Sequence, residues 1–361
     1  MEAVAYAGRK PVGKVTGKAG DELSLRIPRP HLWTPDDPYL YTLKIRLRDG
    51  RRVVDEVGSY FGMRSISLGK GDDGKTRMLL NGTFVPQVGT LDQGYWPDGV
   101  YTAPTDEALK FDLVEHKKLG FNMVRKHMKV EPDRWFYWAD RLGLLVWQDM
   151  PAMFGGHNPP AADKQQFETE MQDMVRQHDA HPSVVMWVPF NEGWGEYEPK
   201  RVADTVKGWD PSRLVNADSG VNCCDSLPDN GEGDIYDDHT YVGPGSPPVP
   251  RGHRATVARR VRRPRPQGRR PRVRPRGQLR LRDGARLGDA DPPLHRGAGR
   301  GAQARRQVRP VRVGLHADHR RGEGGQRPLQ LRPAGAEDGR RQGPRGQPGG
   351  HRGEAVVRRR R

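Results

Sequence analysis

Val184-Val185-Met186-Trp187-Val188-Pro189-Phe190-Asn191-Glu192-Gly193-Trp194-Gly195 opens the reading of this chain. An apolar run passes without a break into Asn-Glu and then into Gly-Trp-Gly. A short continuous apolar run bounded by a turn signal reads as a buried strand. A polar pair at its carboxyl end is then placed where parallel α/β enzymes carry their functional groups. A carboxylate there is expected among apolar and aromatic groups, which would favour its protonated form and suit a general acid. The same two residues also suit a helix N-cap and first helical turn, and the segment alone allows both readings.

Outward from this segment, strand-like and helical patterns alternate. The strand-like stretches are Thr83–Gly89, Phe121–Lys126, Leu144–Gln148, Val184–Phe190, Arg213–Asn216 and Ile235–Tyr241. Between them lie helical stretches over Thr105–Leu119, Glu131–Leu142, Asp163–His178 and Glu198–Lys207. Thr105 followed by acidic residues predicts an N-cap, and Gly120 a stop. Phe167, Met171, Met174 and His178 recur at three- and four-residue steps. Repeated βα units predict a parallel sheet, and six of them fit an incomplete (β/α)8 TIM barrel. A doubly wound sheet is the alternative, but no Gly-rich phosphate loop follows the first strand. Upstream, residues 22–27 and 41–47 alternate polar and apolar, and Asp49-Gly50 predicts a hairpin turn. This is a β-sandwich fragment, too short for a full immunoglobulin-like domain of about 100 residues, so Met1 is expected to lie inside a domain. The domains expected are a partial sandwich at 1–66, a barrel at 67–250, and a C-terminal tail without a predicted fold at 251–361.

The net charge of +17 over 361 residues suggests a polyanion partner until it is divided. Residues 251–361 hold 33 Arg, no Lys and 8 acidic residues, whereas residues 1–250 hold 29 Lys and Arg against 37 acidic residues. The whole excess is in the tail, and the tail has no aromatic platform for bases. Non-specific polyanion binding through it is one reading, but no specific nucleic-acid contact is expected. No apolar run approaches a membrane span, and the first twenty residues lack a signal-peptide core; a cytoplasmic location is expected. Cys223 and Cys224 are adjacent and alone, which predicts neither a disulfide framework nor a zinc site. No cofactor and no metal are expected, and nothing in the sequence specifies an oligomeric state.

Polar residues collect at the predicted strand ends: Asp92, Arg125 with His127, Asp149, Asn191-Glu192, Asp218, and His239 with Tyr241. Several further stretches carry a family resemblance. They are Leu32-Trp33-Thr34-Pro35-Asp36-Asp37-Pro38-Tyr39-Leu40-Tyr41, Tyr60-Phe61-Gly62-Met63-Arg64 and Leu80-Asn81-Gly82. Gly120-Phe121-Asn122-Met123-Val124-Arg125 and Asp140-Arg141-Leu142-Gly143-Leu144-Leu145-Val146 complete the set. Over about residues 25–245 the chain resembles family 2 glycoside hydrolases, the β-galactosidase and β-glucuronidase group. That resemblance implies a carbohydrate substrate, a β-glycosidic bond, and a retaining mechanism with two carboxylates about 5–5.5 Å apart. It implies that Glu192 is the acid/base and that Asn191 binds the sugar's 2-hydroxyl. Arg125, Asp149, His239 and Tyr241 match positions lining the sugar subsite. The family's usual spacing from that Arg to the next His is one residue longer than Arg125 to His127.

The resemblance also implies a nucleophilic glutamate on the seventh strand, after Tyr241. Residues 242–322 contain no Glu. Apart from Thr256, every residue of 251–361 is Arg, Gly, Pro, Ala, Val, Leu, His, Gln, Asp or Glu, the ten amino acids that have codons beginning with G or C. Selection for disorder would not exclude Ser, Thr, Lys and Asn, whereas a shifted frame in a GC-rich gene would. Read one base later with permitted codons, Arg259–Pro275 can yield GEFGGLGLKVAGHEFDP. Its E-F-G-G resembles the family's nucleophile motif, the glutamate being encoded across the Arg260/Val261 junction. Arg309–Arg332 can likewise yield GLSASVYTQTTDVEKEVNGLYNYD, which resembles the eighth-strand region. The slip is expected near Pro250, the tail is expected to be disordered, and the chain is expected to lack turnover. A non-catalytic sugar-binding remnant is the alternative.

Overall fold

The computed structural model describes residues 1–241 and 252–259, together with the backbone of 312–314 and 329–332. In the N-terminal part, β1 (Glu2–Ala7), β2 (Lys10–Thr16), β3 (Leu23–Leu25), β4 (Tyr41–Asp49) and β5 (Arg52–Phe61) are strands. Four of them form an antiparallel sheet in the order β2-β1-β4-β5. The β4–β5 hairpin closes at Asp49↔Arg52, with Gly50 at φ +56° in the left-handed region that a tight turn requires. One face of the sheet packs Ala3, Ala5, Tyr41, Leu43 and Phe61 against Leu25, Ile27 and Met63.

The barrel does not begin where the sequence pattern suggested. Thr83 and Phe84 are β8, the last strand of a three-stranded antiparallel unit with β6 (Ile66–Lys70) and β7 (Thr76–Leu80). Asn81 and Gly82, both at positive φ, make the two-residue turn between β7 and β8. The first parallel strand is β9 (Gly89–Asp92). It is followed by α1 (Asp106–Lys118), β10 (Met123–Lys126), α2 (Asp133–Leu142), β11 (Leu145–Asp149) and α3 (Ala161–His178). Thr105 caps α1, its hydroxyl accepting from Ala108 N at 3.1 Å, as its sequence position predicts. Pro189, which cannot donate to a ladder, divides the fourth strand into β12 (Val184–Val188) and β13 (Phe190–Asn191). Then come α4 (Pro199–Trp209), β14 (Leu214–Val215), β15 (Asp218–Ser219) and β16 (Ile235–His239).

A further strand corrects the expectation for the tail. β17 (Ala255–Arg259) pairs in parallel with β16 over five residues, from Ile235↔Ala255 to His239↔Arg259. Ala255 is 3% exposed, and Arg254 donates to both carboxylate oxygens of Asp229 at 2.7 Å. Periodicity could not reveal a strand this short, because only Ala255 and Val257 face the core. The barrel thus has seven parallel strand positions among the described residues, not six. Short strands β18 (Arg312–Gly314) and β19 (Leu329–Arg332) pair with each other, and β19 pairs antiparallel with β3. The disorder expected for the rest of 251–361, and the polyanion reading of its arginines, lie outside the described residues.

Two apolar layers hold the barrel. One lies between strands and helices and includes Leu113, Val124, Phe136, Val146, Met171, Trp187 and Val206. The other contains no helix residue and includes Met123, Leu145, Trp147, Val188, Leu214, Ile235 and Ala255. Alternation along β10 and β11 sends Met123, Leu145 and Trp147 to the second layer and Val124 and Val146 to the first. The sandwich is joined to the barrel through polar contacts in a buried seam. Trp33, fully buried, donates from Nε1 to Asp140 O at 2.9 Å, and Arg64 donates to the carbonyls of Pro182, Val184 and Ser212. Burial pushes the Arg64 guanidinium down to about 9. No described helix is long and apolar enough to cross a membrane.

Candidate active site

The carboxyl ends of consecutive strands converge. Arg125 lies one residue before the end of β10, while Asp149, Asn191, Ser219 and His239 are the last residues of β11, β13, β15 and β16. Each is buried. Asn191 is therefore a strand terminus and not a helix cap, and α4 begins only at Pro199. Glu192 follows it at φ +53° and Gly193 at φ +79°. A Cβ on Gly193 would stand 2.1 Å from Asp225 O, so this turn requires glycine at that point.

Arg125 organises one half of the site. Its Nε and Nη2 meet the two Asp149 oxygens at 2.8 and 2.7 Å, and Nη2 also donates to Asn191 Oδ1 at 2.8 Å. Arg125 and Asp149 are each 1% exposed. A charge pair this deep persists because the fork of Nε and Nη2 pairs with both Asp149 oxygens. With Oδ1 accepting from Arg125, the Asn191 amide nitrogen is assigned to the other branch of the side chain, and Asn191 also bonds His127. Burial holds the His127 imidazole below its ordinary value against the opposing pull of Asp149. His127 thus belongs to the cluster despite its spacing.

Glu192 lies in the other half, and its surroundings differ from those its sequence neighbours suggested. Its Oε1 accepts from Tyr241 OH and lies 2.8 Å from His239 Nδ1. The apolar residues before it face the barrel layers, while the left-handed turn brings the carboxylate to polar groups from β16. His239 continues the chain of contacts, with Nε2 at 3.0 Å from Ser219 Oγ. Ser219 Oγ donates to Asp237 Oδ2 at 2.7 Å, and Asn216 Nδ2 donates to the same oxygen at 2.7 Å. A hydroxyl has one proton to give, so Ser219 Oγ accepts a hydrogen bond from His239 Nε2–H. The Nδ1–Oε1 contact then holds one proton, on the ring or on the carboxyl.

Other strand-end residues have different surroundings. Asp92 accepts from Lys126 Nζ and from Gly94 N, a network that continues to Glu131 and Lys129. Asp218 is buried, and burial pushes its carboxyl up. Sequence reasoning missed Ser219, Asp237, Asn222 and Glu196. Asn222 clamps the main chain of His239 from both sides, at 2.7 and 3.2 Å. Burial together with nearby Asp218 pushes the Glu196 carboxyl up to about 7. Phe154 and Trp194, both exposed, form a tilted pair with ring centroids 5.8 Å apart on the loops after β11 and β13. Cys223 and Cys224 do not stand alone: their sulfurs and a Glu192 oxygen all lie within 4.8 Å of one another. Only tertiary folding reveals this, because the loop after β15 returns across the end of β13.

Residues 3–64 match the family model "Glycosyl hydrolases family 2", and residues 103–241 match "Glycosyl hydrolases family 2, TIM barrel domain", together more than half of the chain. A putative beta-glucuronidase of Formosa agariphila is 30% identical over 210 residues, which cover 56% of this chain and 19% of that protein. A beta-galactosidase of Psychromonas ingrahamii is 26% identical over 213 residues, covering 56% of this chain and 20% of that protein. The chain thus spans about a fifth of the length of these curated relatives. In fold, it is similar to the crystal structure of Parabacteroides merdae beta-glucuronidase. The TM-score is 0.56 at 24% identity, over 67% of this chain and 31% of that one.

Proposed function

Given that the chain belongs to glycosyl hydrolase family 2, we propose that it is the part of a retaining β-glycosidase that carries the acid/base carboxylate. The observation that supports this most is the convergence of Arg125, Asp149, Asn191 and Glu192 on adjacent strand ends. Glu192 protonates the leaving oxygen and afterwards deprotonates the attacking water. The proton shared with His239 keeps that group supplied, and Tyr241 orients the carboxylate. Asn191 presents its amide nitrogen to the sugar's 2-hydroxyl. Arg125 and Asp149, nearly without exposure, act on the sugar through Asn191 rather than by touching it.

The nucleophile is the missing half. With no Glu in residues 242–322, the described strand ends supply an acid but no partner for a covalent step. β17 supports a change of reading frame later than residue 250. Ala255-Thr256-Val257 open the seventh barrel strand, and Thr256 is the last residue of the chain whose codons cannot begin with G or C. One extra base within codon 258 accounts for both observations. Removing it continues Arg254-Ala255-Thr256-Val257 with L-G-E-F-G-G. The glutamate then follows Val257 by three residues, past the end of a barrel strand, where such groups belong. The slip therefore moves from Pro250 to codon 258.

Purified chain incubated with dinitrophenyl and methylumbelliferyl β-glucuronides and β-galactosides tests the reading. No turnover is expected in plain buffer. Added azide, a small anion in place of the missing nucleophile, should release the aglycone of one sugar series and leave the α-glycosyl azide. Glu192→Gln should suppress this for methylumbelliferyl substrates, which need protonation, and spare the dinitrophenyl ones. Rapid turnover without azide would overturn the loss of the nucleophile, and azide turnover indifferent to Glu192→Gln would overturn the acid. Resequencing across codons 250–265 tests the frame independently.

A further inference from the structure

We propose that Cys223, Cys224 and Glu192 form a binding site for a thiophilic divalent cation of the Zn2+ and Cd2+ class. The sulfurs of both cysteines and a Glu192 oxygen lie within 4.8 Å of one another. Two sulfurs on a tetrahedral zinc are about 3.8 Å apart and a sulfur and a carboxylate oxygen about 3.6 Å, so closing the set needs shifts of roughly an ångström. Adjacent residues in an extended chain send their side chains to opposite faces. Here Cys224 sits at φ +67°, and that left-handed turn brings the second thiol back towards the first.

The loop carrying the thiols is tied at several points. Cys223 N donates to Gly220 O at 3.0 Å, Ser226 N to Cys223 O at 3.3 Å, and Asn222 bonds the His239 main chain. Cys223 and Glu192 are half-buried and Cys224 is exposed, so an ion reaches the site without the fold opening. Two sulfurs and one carboxylate favour a soft cation over Mg2+ or Ca2+. On binding, two metal–sulfur bonds and one metal–oxygen bond form, and the two thiol protons leave to solvent. A water completes the shell. Capture of the cation does not depend on the catalytic reading of Glu192. Its consequence does: a metal-bound Glu192 carboxylate cannot carry a proton, so occupancy would block the acid.

Cadmium titration of the reduced full-length chain, followed by ultraviolet thiolate-to-metal charge transfer, tests the site. The chain has 2 Cys and 12 His; a histidine-bound ion produces no thiolate band, so any band reports these two sulfurs. The band should saturate at one ion per chain, weaken by half or more in Cys223→Ser and in Cys224→Ser, vanish when both are replaced, and require at least tenfold more cadmium in Glu192→Gln. Circular dichroism of each variant verifies that it folds. A band that fails to saturate near one equivalent overturns the site, as does unchanged affinity in Glu192→Gln. Inhibition of azide-supported turnover by cadmium tests the consequence separately, so failure of the catalytic reading leaves the titration decisive.

Discussion

His239 Nδ1 lies 2.8 Å from Glu192 Oε1, while the other nitrogen of the same ring reaches Ser219 Oγ at 3.0 Å. One imidazole therefore joins the carboxylate at the end of β13 to the buried Asp237 of β16 through a single hydroxyl. His239→Asn should lower azide-supported turnover of methylumbelliferyl substrates by roughly 10- to 100-fold, within the range of general acid catalysis. The Kd of a sugar inhibitor should change less than about threefold if proton supply, and not subsite shape, is what is lost. Kinetics and isothermal titration of the same preparations separate the two, and parallel losses in both would reject the assignment.

Arg125 is bonded to Asp149 and Asn191 through a fork that lysine cannot reproduce. Arg125→Lys should cost about 2–4 kcal/mol of stability in urea unfolding. Asp149→Asn should cost a similar amount, and the double variant clearly less than the two together. Simple additivity would mean that the pair does not act as a unit.

Glu196 provides a pH signature. Its folded-state value of about 7 lies above the ordinary 4.5, so the folded chain binds its proton more tightly than the unfolded chain. The contribution to stability is complete below about pH 4.5 and is lost as pH rises through about 7. Between those limits the melting temperature should fall with rising pH, and Glu196→Gln should remove part of that fall. At pH 8 the variant should melt roughly 3–8 °C higher than the parent. A melting scan from pH 4.5 to 8 checks this, and identical slopes would contradict it.

The seventh strand can be tested by shortening the chain. A chain ending after Arg259 should melt cooperatively and at higher temperature than one ending after Tyr241, because β17 covers one edge of β16 and buries Ala255. Ala255→Asp in the longer form should erase the difference, since a charge without a partner would enter the core. Equal melting of both lengths would place the loss of frame before Ala255.

Much of the barrel was legible because its rules are local. The alternation of short strand-like stretches with helical ones specified β10, β11, β12 and β16, and Thr105 with its acidic neighbours specified the start of α1. The first strand was misplaced because Thr83-Phe84 and Gly89–Asp92 have the same short apolar texture, and only pairing decides between a hairpin and a parallel ladder. Position at a strand end singled out Arg125, Asp149, Asn191, Glu192, His239 and Tyr241 as candidates, because carboxyl ends of parallel strands meet at one face. It singled out Asp92 and Asp218 as well, which have different surroundings.

What the residues do to one another was decided by the tertiary structure. The approach of Arg125 to Asn191, of His239 to Glu192, and of Cys223 and Cys224 to Glu192 joins segments far apart in the chain. Such contacts depend on the twist and closure of the sheet, which periodicity does not encode. The chain's composition determined where its ordinary amino-acid usage ends. Only the pairing of Ala255–Arg259 with β16 showed that the barrel continues past residue 250, since a strand of five residues is recognised by the neighbour it bonds to and not by its own pattern.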